Sequence, residues 1–420
     1  MEVITLNNGL KVLVYPMLNT HSVTIGLYIK AGSGYEKGRF VGTTHLLEHL
    51  HFRKCGNLSQ EELYYKMERI GSTLRAVTYR DFLQFTMKVI PSKTEECVEI
   101  FKNIIEGNNW TNEEFEKEKQ VVLNQILEKG TYITLDKEMR KLVFKNHSLN
   151  SEIMGDIITI ESLRKSDIQE YKKELFSKQN MLFCVTGNIK EMDYKNMLEE
   201  LQRISIGQND KEKRIQCPSI FQHRKPDILL KHVQDDNPLE VNISFDIKYD
   251  DESRDLLMIL NCILGEGVGS RLQKTIREEK CYSSNIASYI EWYQKFAVLH
   301  INFSVEKGAL LSCLQDIVMI LKKMKKEIVK RDLDVTLPFY TTNHVFCEDD
   351  TEEMNFQLAY NKLILGMEYR SVALKNDDKT ILSLQRLAEN IFAKNNMSLV
   401  LVGNMEEVTK KDIMQIIDKI

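Results

Sequence analysis

One pattern occurs twice in the chain. Residues 178–188 read KQNMLFCVTGN and residues 394–404 read KNNMSLVLVGN, so Lys, Asn, Met, Gly and Asn return in the same places without a gap. The interval from Lys178 to Lys394 is far longer than a solenoid repeat, whose units run to about 20–50 residues, and marks a duplicated domain instead. Each copy centres on an apolar run closed by Gly-Asn, the pattern of a buried strand ended at a turn. At 420 residues the chain is longer than one core ordinarily serves. The expected architecture is α+β, with two homologous α/β domains (strands with helices packed on one side) duplicated within the chain.

The elements follow that plan. Residues 10–15 (LKVLVY) and 23–30 (VTIGLYIK) are β-rich runs, and Gly32 and Gly34 break the second one. A helix begins near Gly42. Ser59 opens another with a Ser-x-x-Glu capping box, and Gly71 closes it. Residues 78–90 read as strands, residues 94–106, 111–129, 134–145 and 166–176 as helices, and residues 181–185 as a buried strand. Thr111 with Glu114 caps the 111–129 helix and Gly130 ends it. Residues 205–226 turn polar and charged and hold two of the six prolines. This gives an N-terminal domain over 1–206, a linker over 207–226 and a homologous C-terminal domain over 227–420. In the second half, strands are expected at 228–232 and 241–248 and helices at 253–264, 271–279, 308–326 and 354–365.

The chemistry lies in residues 43–55, TTHLLEHLHFRKC. Within them His45, Glu48 and His49 form an H-x-x-E-H pattern. On a helix, positions i and i+4 share a face and i+3 lies beside them, so two imidazoles and a carboxylate meet at one place. Two neutral histidines suit zinc, and the carboxylate can take a proton from water that the metal acidifies. Leu46, Leu47 and Leu50 cover the other side. This order, inverted from H-E-x-x-H, is the inverzincin type of zinc peptidase. The blander reading is an amphipathic helix with surface His and Glu. His51, two positions past His49, points elsewhere on the helix, and Cys55 reads as a buried thiol.

Composition narrows the remaining classes. The net charge is −4, from 57 basic and 61 acidic residues, which gives no reason to expect a nucleic-acid partner. No apolar run approaches a membrane span. The opening residues, MEVITLNNGLKVLVYP, lack the basic start and apolar core of an export signal. Eight scattered cysteines with no C-x-x-C pair read as reduced thiols, which favours a cytoplasmic location.

A strand pair, the H-x-x-E-H helix, an acidic helix downstream and the duplicated plan together resemble the pitrilysin, insulin-degrading enzyme and mitochondrial processing peptidase family, over essentially the whole chain. The resemblance implies Zn2+ as cofactor, an extended peptide as substrate and a clamshell chamber built by two subunits, as a homodimer or a heterodimer with a related subunit. It also implies a third zinc ligand, a Glu, on the acidic helix. Counted on from His49 with the family's spacing, that position holds Gln125. Glu118, two turns earlier, matches the family's supporting acidic residue. The sequence departs again at Arg75-Ala76, where the family's substrate-side strand carries Asn-Ala. In the second half Arg277 and Tyr282 match the family's substrate-binding pair, with a loop between them that is two residues short.

A glutamine amide oxygen is a weaker zinc donor than a carboxylate. Three explanations stand: an engineered ligand change, a naturally weakened subunit, or substitution by Glu128, which lies roughly 60° off the Gln125 face and a turn away. The function expected is a zinc-dependent metalloendopeptidase acting on short or unfolded peptides, impaired at Gln125. The alternative is a non-catalytic subunit that pairs with an active relative. A two-domain scaffold unrelated to peptidases is the blandest option.

Overall fold

The structure is a computed structural model that describes residues 1–130, 133–207, 211–219, 221, 227–234, 237–370, 373–405 and 408–420. Of the 207–226 linker, positions 208–210, 220 and 222–226 lie outside the described residues. The chain divides into two compact units, and neither is one continuous stretch. The first comprises Met1–Thr131, Ser151–Ile215 and Val345–Tyr369; the second comprises Tyr132–Asn150, Gln216–His344 and Arg370–Ile420.

The first unit is built on six strands, β1 (Glu2–Thr5), β2 (Lys11–Pro16), β3 (Val23–Ile29), β4 (Arg75–Thr78), β5 (Leu83–Val89) and β6 (Met181–Gly187). Their order is β1-β2-β6-β3-β5-β4. Only β2 and β6 run parallel. The helices that matter below are α1 (Thr43–Arg53), α2 (Gln60–Ile70), α3 (Thr94–Glu106), α4 (Asn112–Lys129), α5 (Leu135–Val143), α6 (Lys165–Leu175), α7 (Ser253–Asn261) and α8 (Thr351–Ala359). The capping boxes at Ser59 and Thr111 both form, and Gly71 closes α2 in the left-handed conformation.

β3 and β6 are buried along their whole length, as central strands must be when both faces of a sheet are covered. Alternation assigns each face a different neighbour. Val23, Ile25, Leu27 and Ile29 of β3 enter the core with Leu46, Leu50 and Phe101 of α1 and α3. The intervening residues face α8. Thr24 Oγ1 lies 2.8 Å from Thr351 Oγ1, and the Tyr28 hydroxyl donates to Asn355 Oδ1 at 2.9 Å. Asn355 Nδ2 donates to the carbonyls of Thr24 and Cys184. Gly26 permits this approach, since a Cβ there would sit 2.4 Å from Asn355 Oδ1.

The second unit repeats the pattern with β7 (Asp227–His232), β8 (Leu239–Lys248), β9 (Ala287–Tyr293), β10 (Phe296–Val305) and β11 (Met397–Gly403), in the order β9-β10-β8-β11-β7. Here β7 and β11 are the parallel pair. The run β2-β6-β3-β5-β4 therefore matches β7-β11-β8-β10-β9 strand for strand. Strands β2, β3 and β6 begin at Lys11, Val23 and Met181, and their counterparts β7, β8 and β11 begin at Asp227, Leu239 and Met397. Each pair is separated by the same interval as Lys178 and Lys394 in the repeated sequence.

Helices α5 and α8, which begin at Leu135 and Thr351, keep that interval too, yet each belongs to the unit built by the other half of the chain. α8 packs on β3 and β6, and α5 packs on β7, β8 and β11. Each sheet thus carries helices of its own half on one face and an exchanged helix on the other.

Candidate metal centre

Helix α1 is held from both ends. Its N-cap, Gly42, takes φ 94°, and a Cβ there would meet Met154 O at 2.7 Å. The buried Glu36 carboxylate receives the backbone N–H of Gly42 at 2.7 Å, the N–H of Thr44 at 2.6 Å and the Thr44 hydroxyl at 2.6 Å. Free N–H groups and the positive end of the helix dipole suit an anion there. Burial pushes the Glu36 carboxyl up; the hydrogen bonds from Thr44 and Gly42 counter only part of this, and it stays above its ordinary range. Beneath the helix, Leu46, Leu47 and Leu50 are fully buried. His51 is buried with them, its Nδ1 on Leu47 O at 2.7 Å and its Nε2 3.1 Å from the buried Lys172 Nζ on α6. It is a structural histidine, as its position on the helix suggested.

The opposite face carries His45, Glu48 and His49. The two imidazole centroids are 4.8 Å apart, nearly edge-on at 73°. Helix α4 lies against α1 and presents Glu118 and Gln125. Glu118 Oε2 accepts from His49 Nδ1 at 3.1 Å, and Glu118 Oε1 accepts from Arg53 Nε at 2.6 Å. A carboxylate only accepts, so His49 Nδ1 carries a proton, and in the neutral imidazole that leaves the Nε2 lone pair for a metal. Burial pushes Glu118 up, but His49 and Arg53 outweigh it and hold the carboxyl below its ordinary range.

Gln125 Oε1 lies 3.2 Å from His45 Nε2. Two donors of a tetrahedral zinc, each about 2.0–2.1 Å from it, stand roughly 3.3 Å apart. The spacing therefore suits a cation held between them as well as it suits an N–H donated by His45. Glu48 is set beside the pair, with Oε2 3.8 Å from His45 Nδ1 and hydrogen-bonded by the Thr78 hydroxyl at the end of β4. Burial raises its carboxyl; His45, Thr78 and the nearby His49 more than reverse this, and it lies below its ordinary range. The donor types suit a divalent metal: His45 and His49 would be two strong donors and Gln125 a weak one. Among the described residues no three His, Cys, Asp or Glu side chains are arranged to hold a metal ion, as follows from an amide in the third position. Glu128 is exposed.

The other expected residues fall elsewhere. Ala76 packs against the first unit's core. Arg75 and Ala76 lie on β4, the edge strand of the sheet. Arg75 alternates onto the face away from α1, where its guanidinium lies 3.6 Å from Glu352 of α8. Arg277 and Tyr282 belong to the second unit. Arg277 is exposed, with Nη1 3.5 Å from Gln273 Oε1, and the Tyr282 N–H donates to Ile276 O at 3.0 Å. The two side chains share no hydrogen bond among the described residues. Glu36, Arg53 and Thr78 were not singled out from the sequence, because each acts on α1 or α4 from a distance that local spacing does not reveal. In the second unit, α7 follows β8 as α1 follows β3, but residues 253–266 contain no histidine.

An inverted His-Glu-His helix beside an acidic helix, on one copy of a duplicated α+β unit, defines a zinc-metallopeptidase type of fold and site. The chain belongs to the insulinase family, peptidase family M16: residues 11–157 match its insulinase model and residues 162–336 match its "Peptidase M16 inactive domain" model. An uncharacterized zinc protease of Bacillus subtilis is 23% identical over 411 residues, covering 96% of this chain and 98% of that one. The mitochondrial-processing peptidase subunit beta of Saccharomyces cerevisiae is 27% identical over 201 residues, 47% of this chain and 43% of that protein. A protease from Helicobacter pylori has the same fold, with TM-score 0.83 at 21% identity over 96% of this chain and 99% of that one. A peptidase M16 inactive domain from Pseudomonas fluorescens gives TM-score 0.83 at 15% identity over 96% and 98%.

Proposed function

We propose that this chain is a zinc-dependent endopeptidase of weakened metal affinity. The observation that carries it is the convergence of His45 Nε2 and Gln125 Oε1 at 3.2 Å beside a His49 whose tautomer Glu118 fixes. His45, His49 and Gln125 would hold the zinc, Glu118 orients His49, and Arg53 orients Glu118. When bound, zinc supplies a Lewis acid for the scissile carbonyl and lowers the pKa of water. Glu48 takes a proton from the attacking water as its oxygen bonds to the carbonyl carbon. It returns that proton to the amide nitrogen as the C–N bond breaks. The substrate is an extended peptide that adds a strand to the open edge of β4, next to α1. Arg75, Ala76, Arg277 and Tyr282 are the proposed peptide contacts.

The neutral Gln125 donor supports low turnover, and it equally favours a second reading, a non-catalytic subunit paired with an active relative. In either case the working form is a homodimer or heterodimer around a peptide chamber. Among the described residues no helix is long and apolar enough to cross a membrane, and all eight cysteines are free, which supports a reducing, cytoplasmic setting. Turnover of a quenched-fluorescent peptide library separates the two readings. As a peptidase, the Gln125→Glu chain gains activity and loses it again with Glu48→Gln. A Gln125→Glu chain that binds zinc and cleaves nothing overturns the enzyme reading.

A further inference from the structure

Glu48 has two oxygens in different surroundings. Oε2 receives the Thr78 hydroxyl and faces His45 Nδ1, whereas Oε1 has no hydrogen bond from the protein among the described residues. Thr78 is itself pinned. It is 8% exposed, it is the last residue of edge strand β4 in register with Leu83, and the tight turn after it closes with the Tyr79 N–H on Phe82 O at 2.8 Å. Its χ1 is stiffened by β-branching. A rigid hydroxyl on a rigid strand end thus fixes one oxygen of a carboxylate on the neighbouring helix.

We propose that Thr78 is a positioning residue for the general base: it clamps Glu48 Oε2 and so turns Oε1 toward the attacking water. This deepens the peptidase reading and rests on it. The hydroxyl neither gains nor loses a proton in the cycle; it donates to Oε2 throughout, and Oε1 alone accepts the proton of water and passes it to the leaving nitrogen. Because Thr78 lies on the edge strand that the peptide would extend, one strand sets both the substrate register and the orientation of the base. The carboxylate is held before substrate arrives, which lowers the cost of reaching the reactive geometry.

The test uses the full chain carrying Gln125→Glu, loaded with zinc, and compares it with added Thr78→Val and Thr78→Ser. Valine keeps the shape and removes the donor. A misdirected base is expected to lower kcat roughly 10–100-fold while KM and zinc per chain stay unchanged, and serine restores most of kcat. An unchanged kcat in Thr78→Val, or a serine variant as poor as valine, overturns the proposal. A second readout needs no turnover. Crystal structures of the metal-free native chain and its Thr78→Val variant should show the Glu48 carboxylate fixed in the first and rotated in the second; the same orientation in both refutes the clamp. If the zinc-loaded Gln125→Glu parent cleaves no peptide, the peptidase reading fails, and the carboxylate orientation still decides the role of Thr78.

Discussion

Glu36→Gln asks whether a residue that precedes His45 by more than two helical turns of sequence holds the metal helix in place. The native carboxylate receives four donors, the Gly42 and Thr44 N–H groups, the Thr44 hydroxyl and, at 3.4 Å, the Tyr171 hydroxyl. A glutamine presents one oxygen, so it keeps either the Gly42 contact or the Thr44 pair and turns an NH2 group toward the remaining donors. Stranding one or two buried donors costs about 1–3 kcal/mol each. The loss is partly offset because burial already disfavours the native carboxylate. A net destabilisation of about 3 kcal/mol lowers the melting temperature of a unit this size by roughly 6–12 °C. Thermal unfolding by circular dichroism measures the shift, and amide hydrogen exchange locates it at Gly42 and Thr44. A melting temperature within about 1 °C of native, or unaltered exchange at Thr44, would refute the claim that Glu36 anchors α1.

Two further outcomes are expected. Glu118→Ala in a Gln125→Glu chain releases His49 from its fixed tautomer and should weaken zinc binding about 10–100-fold, read by competition with a chromogenic chelator. In the second unit, burial pushes Glu291 up, but the His300 imidazole and the Arg140 guanidinium, 2.9 Å away, hold it far below its ordinary range. A depressed carboxyl contributes stability that is full above its unfolded pKa and lost as pH falls toward the folded value. The urea midpoint of the native chain should therefore drop on going from about pH 6 to pH 4, and Glu291→Gln should flatten that slope while lowering the midpoint at neutral pH. An equal slope in both chains would show that Glu291 is not the group responsible.

Much of this was legible in the residues themselves. The repeat at Lys178 and Lys394 foretold the duplicated sheet because a buried central strand leaves a contiguous apolar signature. The capping boxes at Ser59 and Thr111 were readable because each is closed within a single turn. The His45-Glu48-His49 cluster followed from helix geometry alone. What escaped depends on partners distant in sequence. α5 and α8 have ordinary amphipathic patterns that do not say which sheet they cover, and their exchange between units rests on contacts such as Asn355 with Thr24 and Cys184. Glu36 looks like one more surface acid until the fold buries it under the α1 N-terminus. The neighbour of Arg75 was not legible either: strand alternation brings its guanidinium within 3.6 Å of Glu352, a residue far along the chain. Strands β9 and β10 went unassigned; their polar Glu291, His300 and Asn302 face one another within the sheet and break the apolar alternation that marks a strand.

The state of the metal site is decided by zinc per chain, measured by inductively coupled plasma mass spectrometry after dialysis against a weak chelator, on the native chain and Gln125→Glu side by side. Replacing a neutral amide by a carboxylate 3.2 Å from His45 Nε2 is expected to bring occupancy near one zinc per chain, while the native protein retains much less. No zinc in either chain would contradict the assignment of His45, His49 and position 125 as a metal centre.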